Sequence, residues 1–294
     1  MRLKEISQIL KENIDRLKYT PNIVVANNNF SVDNLINIRK GINNIAKTNL
    51  FKSQLKEFKT LPIYASTLDT LTISNNEYSI FSSTLEALKK GIKNLTESVD
   101  QALPINESEN LLSIKLPNDL NFESLGKIID LLKKSFSIPL AEIDDSIKIE
   151  AFESGSFWID ILVHSREAIE LIGAITWAGA FIYKKRLEGK IHEKYIETLN
   201  IKNDALKAIQ EGTRAQIDIL IEVEAQNIQT NYYNGDDHER LERLKLSIKS
   251  MSELVEKGTE VHPNLLASET TNSIFPSFKN LNLIESKTKQ ISNE

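Results

Sequence analysis

The segment from Leu171 to Tyr183 runs for thirteen residues without a charge, in a chain that is otherwise polar and rich in Lys, Asn and Glu. Placed on a helical wheel, it is apolar on every side, and charged residues appear only in its flanks. A helix that is apolar all round is stable only when it lies deep in protein or in lipid. Whatever fold this chain adopts must therefore cover the segment.

The length of the segment favours burial in protein. At about 1.5 Å per residue it spans roughly 20 Å, which is short of the roughly 30 Å of a bilayer's hydrocarbon. We therefore expect a core helix that lies on a sheet and is wrapped by later helices. Two alternatives remain, namely burial in an oligomer interface and membrane contact, because a basic cluster follows the segment at once. The predicted interaction or membrane helix covers residues 168–183, and the residues expected to make its contacts are Ile172, Ile175, Trp177, Phe181, Ile182, Lys184, Lys185 and Arg186.

The residues before this segment predict a small β-α-β-β unit. The run LLSIKLP alternates as a strand does, and the stretch after Asn121, a good N-cap residue, predicts a helix with Phe122 as the first inward-facing side chain. Two further alternating runs, SIKIEAFE and FWIDILVH, predict a β-hairpin whose turn is Ser154, Gly155 and Ser156. On the first of these strands, alternation places Ile147, Ile149 and Ala151 on one face.

The predicted fold class is α+β and predominantly α-helical, with the β-α-β-β unit followed by an antiparallel helical bundle. Four regions are expected: a mostly helical region at 1–105, the β-α-β-β unit at 106–165, the bundle at 166–262 and an irregular C-terminal tail at 263–294. The first helix of the bundle would contain the apolar segment. The tail is rich in Ser, Thr, Asn and Lys, so we expect it to be loosely attached, with the run SIFPSF as an anchor.

The composition argues against most enzymatic chemistry. The chain has no cysteine, which excludes thiol catalysis and thiolate metal sites, and its four histidines lack metal-ligand spacing. No phosphate-binding loop or dinucleotide fingerprint is present. Residues 1–60 hold eleven Lys and Arg against five Asp and Glu, but without interleaved aromatics, and the net charge is −5. We expect no catalytic site, cofactor or nucleic-acid partner, and the sequence identifies no small-molecule substrate.

Two carboxylates near the predicted hairpin require a specific explanation, one for a candidate metal site and one for its position on a strand face. Asp145 and Lys148 leave a metal-dependent nuclease as a third functional alternative, although the Glu-x-Lys of such sites is missing. Asp160 falls on the strand face opposite Ile159 and Ile161. If that face is covered, Asp160 needs a partner, and the nearest candidate is Arg166, which would form a buried ion pair.

These observations predict a non-enzymatic bacterial protein that acts in the cytoplasm by self-assembly or by docking a protein partner. A stress-response or phage-defence system is the expected setting. The alternative is a membrane-acting effector. A hairpin followed by an apolar helix, in a cysteine-free helical chain of about this length, resembles α-helical pore-forming toxins. That resemblance implies a membrane-peripheral or inserted state in which the 168–183 helix is released into lipid.

Overall fold

The computed structural model describes residues 2–24, 29–102, 108–153, 157–198, 203–265 and 267–287. The fold is α+β and predominantly helical, with two small antiparallel sheets and a multi-helix bundle, so the predicted fold class is confirmed. The chain divides into two compact units, Met1–Ile105 and Asn106–Glu294.

The first unit packs helices around a three-stranded sheet. Its elements are α1 (Leu3–Ile14), a 3₁₀ turn (Asp15–Leu17), β1 (Pro21–Val24), β2 (Asn29–Val32), α2 (Leu35–Ala46), α3 (Lys52–Lys59), α4 (Pro62–Ala65), β3 (Leu71–Ser74) and α5 (Asn75–Ala102). The strands are antiparallel in the order β1-β2-β3. Leu10, Ile42 and Leu85 come from three of the helices and are fully buried in the core.

The helical pattern after Asp33 predicts one helix reaching about Leu55, and the structure differs from it. Asn49 and Phe51 have φ angles of 59° and 54°, in the left-handed region. A left-handed residue ends an α-helix because it turns the backbone away from the helical path. The stretch therefore forms two helices, α2 and α3.

The second unit combines a four-stranded sheet with a long bundle. Its elements are β4 (Leu111–Lys115), α6 (Phe122–Leu132), a π-helical turn (Lys133–Ser137), α7 (Ile138–Ala141), β5 (Lys148–Glu153), β6 (Trp158–Leu162), α8 (Arg166–Thr198), α9 (Asn203–Tyr232), α10 (His238–Glu256), β7 (Glu260–Pro263), α11 (Glu269–Ile274) and a 3₁₀ helix (Phe278–Leu283). The sheet is antiparallel in the order β5-β6-β4-β7. A single hydrophobic core joins it to α6 and the bundle helices, so the β-α-β-β unit and the bundle share one interior.

Strand β5 contains a β-bulge that the alternation of its residues does not predict. Ile149 pairs with Ile161, but Ala151 pairs with Asp160, so Glu150 is an extra residue in the ladder. An extra residue reverses the alternation of side chains beyond it. Phe152, which pairs with Ile159, therefore lies on the same face as Ile149, and Ala151 lies on the opposite face. The expected grouping of Ile149 with Ala151 is wrong.

The C-terminal residues differ from the expected loose tail. Residues 267–287, called the C-terminal strap below, pack along α8 through α11 and the following 3₁₀ helix. Phe275 and Ile284 of the strap are buried in the core of the second unit. Phe275 belongs to the expected anchor SIFPSF. Ile284 lies in the mixed run KNLNLI, which has no clear period, so its burial escapes a search for amphipathic patterns.

Candidate interaction surfaces

The apolar segment of α8 lies in the core of the second unit. Ile172, Ile175 and Ile182 have no exposed surface, Phe181 is buried, and Trp177 is partly buried against the same core. Helices α9 and α10 both pack on α8. Over the described residues, no helix combines the length and the apolar character needed to cross a bilayer.

Two glycines let other elements approach α8 closely. A Cβ atom placed on Gly179 would stand 2.5 Å from Cγ of Met251 on α10 and 3.1 Å from its backbone carbonyl carbon. A Cβ on Gly173 would collide with Cγ2 of Ile274 in the C-terminal strap. The small residues of this segment therefore serve contacts between elements of one chain.

The C-terminal strap covers the side of α8 that carries Trp177 and the basic cluster. Trp177 Nε1 donates a hydrogen bond to the backbone carbonyl of Glu285 at 2.8 Å, and Lys184 Nζ donates to that of Ile284 at 2.9 Å. The Nζ atom of Lys287 lies 4.3 Å from the centre of the Trp177 ring. Burial lowers the pKa of Lys287. The two hydrogen bonds and the contact of Lys287 with the Trp177 ring hold the strap against α8.

The rest of the basic cluster is partly buried. Lys185 Nζ forms an ion pair with Glu188 at 2.7 Å, and Lys184 approaches the same carboxylate at 3.8 Å. Arg186 is also half-buried. The α8 residues predicted to bind a partner or a membrane therefore lie together. The apolar ones are in the core or against the strap, and the basic ones are partly buried.

The two residues of the predicted buried ion pair have different partners. Asp160 is buried on β6, and its Oδ1 atom accepts a hydrogen bond from the Ser113 hydroxyl of β4 at 2.7 Å. The side chain of Arg166 is 63% exposed, and its Nε atom donates to Glu170 at 3.0 Å. The predicted turn residues Ser154, Gly155 and Ser156 lie outside the described residues.

Asp145, the nuclease candidate, anchors the start of α8. Its carboxylate accepts hydrogen bonds from the Ser165 hydroxyl at 2.7 Å and from the backbone N–H groups of Ser146 and His164 at 2.7 and 3.1 Å. The Nδ1 atom of His164 also lies 3.1 Å away. Within the described ranges, no three His, Asp or Glu side chains are grouped to hold a metal ion. The carboxylate is engaged by groups of the protein itself.

Burial of the Asp145 carboxyl raises its pKa. The hydrogen bonds from Ser165, His164 and Ser146 outweigh this effect and lower the pKa to about 2. Aspartate in an unfolded chain titrates near 3.9, so these bonds contribute about 2 kcal/mol of stability above about pH 4, which is lost as the pH falls toward 2.

We expect Asp145→Asn to lower the free energy of unfolding by about 2 kcal/mol at pH 7 and to flatten its pH dependence below about pH 5. Urea titrations at several pH values measure both effects. The control is Asp144→Asn at the exposed neighbour, and equal losses in the two variants would contradict this account.

A groove lined with aromatic residues remains open at one end of the second unit's sheet. Its volume is about 610 Å³. The aromatic groove is defined by Leu116, Leu120, Phe122, Leu125, Phe152, Phe157, Trp158 and Ile159, with Asn121 beside them. The side chains of Phe122, Phe152 and Phe157 are 96%, 67% and 53% exposed. Contiguous exposed apolar side chains on a folded protein are typical of interaction surfaces, so the aromatic groove is the candidate site.

Local structure explains why these rings stay exposed. Asn121 caps α6 and Phe122 is its first residue, so this ring projects ahead of the first turn, whereas Ile128 two turns later is buried. The inward orientation expected for Phe122 is therefore wrong. Phe152 and Phe157 stand on either side of the hairpin end. The sequence signals for these rings are an aromatic residue next to an N-cap and two aromatic residues that flank the predicted Ser-Gly-Ser turn.

The aromatic groove is lined by apolar side chains, with Asn121 as the one polar residue among the described residues that line it. Glu123, which follows Phe122 on α6, forms an ion pair at 2.5 Å with Lys127 one turn later. The groove is therefore suited to an apolar rather than a charged occupant.

Comparison with known proteins finds one relationship that spans the chain. A curated relative from Bacillus subtilis (strain 168), described as uncharacterized protein YqaP, is 30% identical over 290 residues. The alignment covers 94% of this chain and 92% of that protein. No protein-family model matches the chain, and no solved structure does.

Proposed function

We propose that this chain, which belongs to the family of the Bacillus subtilis protein YqaP, is a non-enzymatic interaction protein that binds another protein chain through the aromatic groove. The observation that carries the proposal is the exposure of Phe122, Phe152 and Phe157 around one concave apolar surface. A concave surface fits the side chains of a protein, whereas a bilayer offers a flat one. The proposal places the protein in the cytoplasm, where a cysteine-free chain is in keeping with reducing conditions.

The apolar side chains of α8 are less suited to binding a partner than those of the groove. Those of α8 are already covered by α9, α10 and the C-terminal strap. Releasing them into a membrane would break the core of the second unit and forfeit about 1.5–3 kcal/mol for each large side chain until lipid covered it. The three phenylalanines of the groove are exposed without any such rearrangement.

The free energy gained by burying the exposed rings of the groove determines how tightly a partner can bind. Covering the exposed parts of the three phenylalanine rings contributes roughly 4 kcal/mol at the usual value for a large apolar side chain. Association costs about 4 kcal/mol or more in lost rigid-body freedom. The groove by itself therefore supports only weak binding, and a partner must also contact neighbouring surface.

Photo-crosslinking tests the proposal. The full-length chain is expressed in Bacillus subtilis with p-benzoylphenylalanine at position 157, and at position 219 as a control, because Ile219 is 63% exposed on α9 and does not line the groove. We expect a discrete protein adduct from position 157 that is absent from position 219. Adding Phe122→Ser and Phe152→Ser to the position-157 chain should abolish this adduct. Lipid adducts alone, no adduct, or equal adducts at both positions would overturn the proposal.

A further inference from the structure

We propose that the occupant is a second copy of this chain, whose strand β5 pairs antiparallel with β5 of the first copy about a two-fold axis between Glu150 and Ala151. This inference rests on the proposed function, because it names the partner that covers the Phe152 side of the aromatic groove. It also supplies the neighbouring contact that the groove requires. The pairing would join the two four-stranded sheets edge to edge.

Strand β5 is the edge of the sheet that is open to such pairing. Within the described residues, β5 pairs with β6 alone, and it is six residues long. The opposite edge, β7, has four residues and ends at Pro263, which has no N–H to donate. A sheet edge with unpaired backbone groups and exposed apolar side chains is a template for another strand.

The side chains of β5 are self-complementary in this register. Ile149 and Phe152 are 52% and 67% exposed, and the bulge at Glu150 places them on the same face. With the two-fold axis between residues 150 and 151, Ile149 of each copy comes opposite Phe152 of the other, so both apolar side chains gain an apolar partner. Without the bulge the same register would set them on opposite faces.

The charges of the described side chains agree with the same register. Glu150 comes opposite Ala151 of the second copy, and the exposed Lys148 does not come opposite another lysine. Like charges directly across two strands would oppose their pairing. A two-fold interface must be complementary to itself, and because it uses the same edge of both copies it closes at a dimer.

Association of the purified full-length chain, measured by sedimentation equilibrium from about 5 to 500 µM, tests the inference. We expect a reversible equilibrium between the 33.3 kDa chain and its dimer. Ile149→Lys and Phe152→Glu should each weaken dimerisation by at least about tenfold, because each puts a charge opposite an apolar side chain. Both positions are exposed in the single chain, so the variants should fold. Ile219→Lys, on the exposed face of α9, is the matched control and should leave the equilibrium unchanged.

Mixing the two β5 variants tests the register itself. In a heterodimer of Ile149→Lys with Phe152→Glu, the introduced lysine comes opposite the introduced glutamate, and the second pair remains isoleucine with phenylalanine. We therefore expect the mixture to dimerise at least about tenfold more tightly than either variant alone. A wild-type chain that stays monomeric at the highest concentration, or a mixture no tighter than its components, would overturn the inference. If position 157 meanwhile crosslinks to a different protein, the proposed function stands and only the identity of the partner falls.

Discussion

Ile175→Asp is expected to lower the free energy of unfolding of the second unit by more than about 4 kcal/mol. Ile175 has no exposed surface and belongs to the core that joins the sheet to the bundle. The substitution removes a large apolar side chain and buries a carboxylate among hydrocarbon. Because a domain's total stability is about 5–15 kcal/mol, the change approaches the whole of it.

The matched control lies on the same helix. Ile191 is 61% exposed, so Ile191→Asp should change the unfolding free energy by no more than about 0.5 kcal/mol. Chemical denaturation followed by circular dichroism, with the fluorescence of Trp158 and Trp177 reporting on the second unit, measures both variants. A fully folded Ile175→Asp protein would show that α8 is not held in the core.

Gly179→Ala is expected to destabilise the protein by about 1–3 kcal/mol. Alanine is normally favoured over glycine inside a helix by about 1 kcal/mol. At Gly179, however, the added Cβ would meet Cγ of Met251 at 2.5 Å and its Cβ at 2.6 Å. Helices α8 and α10 must then separate, and this cost outweighs the gain in helix propensity.

The control for this substitution is Gly126→Ala on α6, where an added Cβ meets no atom within 4 Å. This variant should gain up to about 1 kcal/mol from helix propensity alone. Thermal unfolding of both variants against the parent chain measures the difference in sign. Stabilisation by both substitutions would contradict the close contact between α8 and α10.

The sequence predicts elements well where the signal is local. The apolar segment, the N-cap at Asn121 and the alternation of β6 depend on residues a few positions apart. The bulge at Glu150 is different, because its evidence is the register of β5 against β6, and no pattern within β5 announces an extra residue. That single insertion decides whether Phe152 shares a face with Ile149.

Local sequence patterns also do not predict contacts between residues that are far apart in the chain. Proximity in the sequence favours Arg166, six residues away, as the partner of Asp160. Its hydrogen-bond donor is instead Ser113 on β4, which the sheet places opposite it in register. Phe122 has the spacing of an inward-facing residue, yet it is exposed because the buried part of α6 begins only at Ile128, two turns later.

The amino-acid sequence alone requires that residues 171–183 be hidden, because no arrangement of that helix offers a polar side to water. What hides them was decided by the tertiary structure: α9, α10 and a C-terminal strap whose contacts follow no helical or strand period. The open surface was decided in the same way. Periodicity states which side chains avoid water, but only long-range packing determines which of them are covered, and it leaves Phe122, Phe152 and Phe157 at the surface.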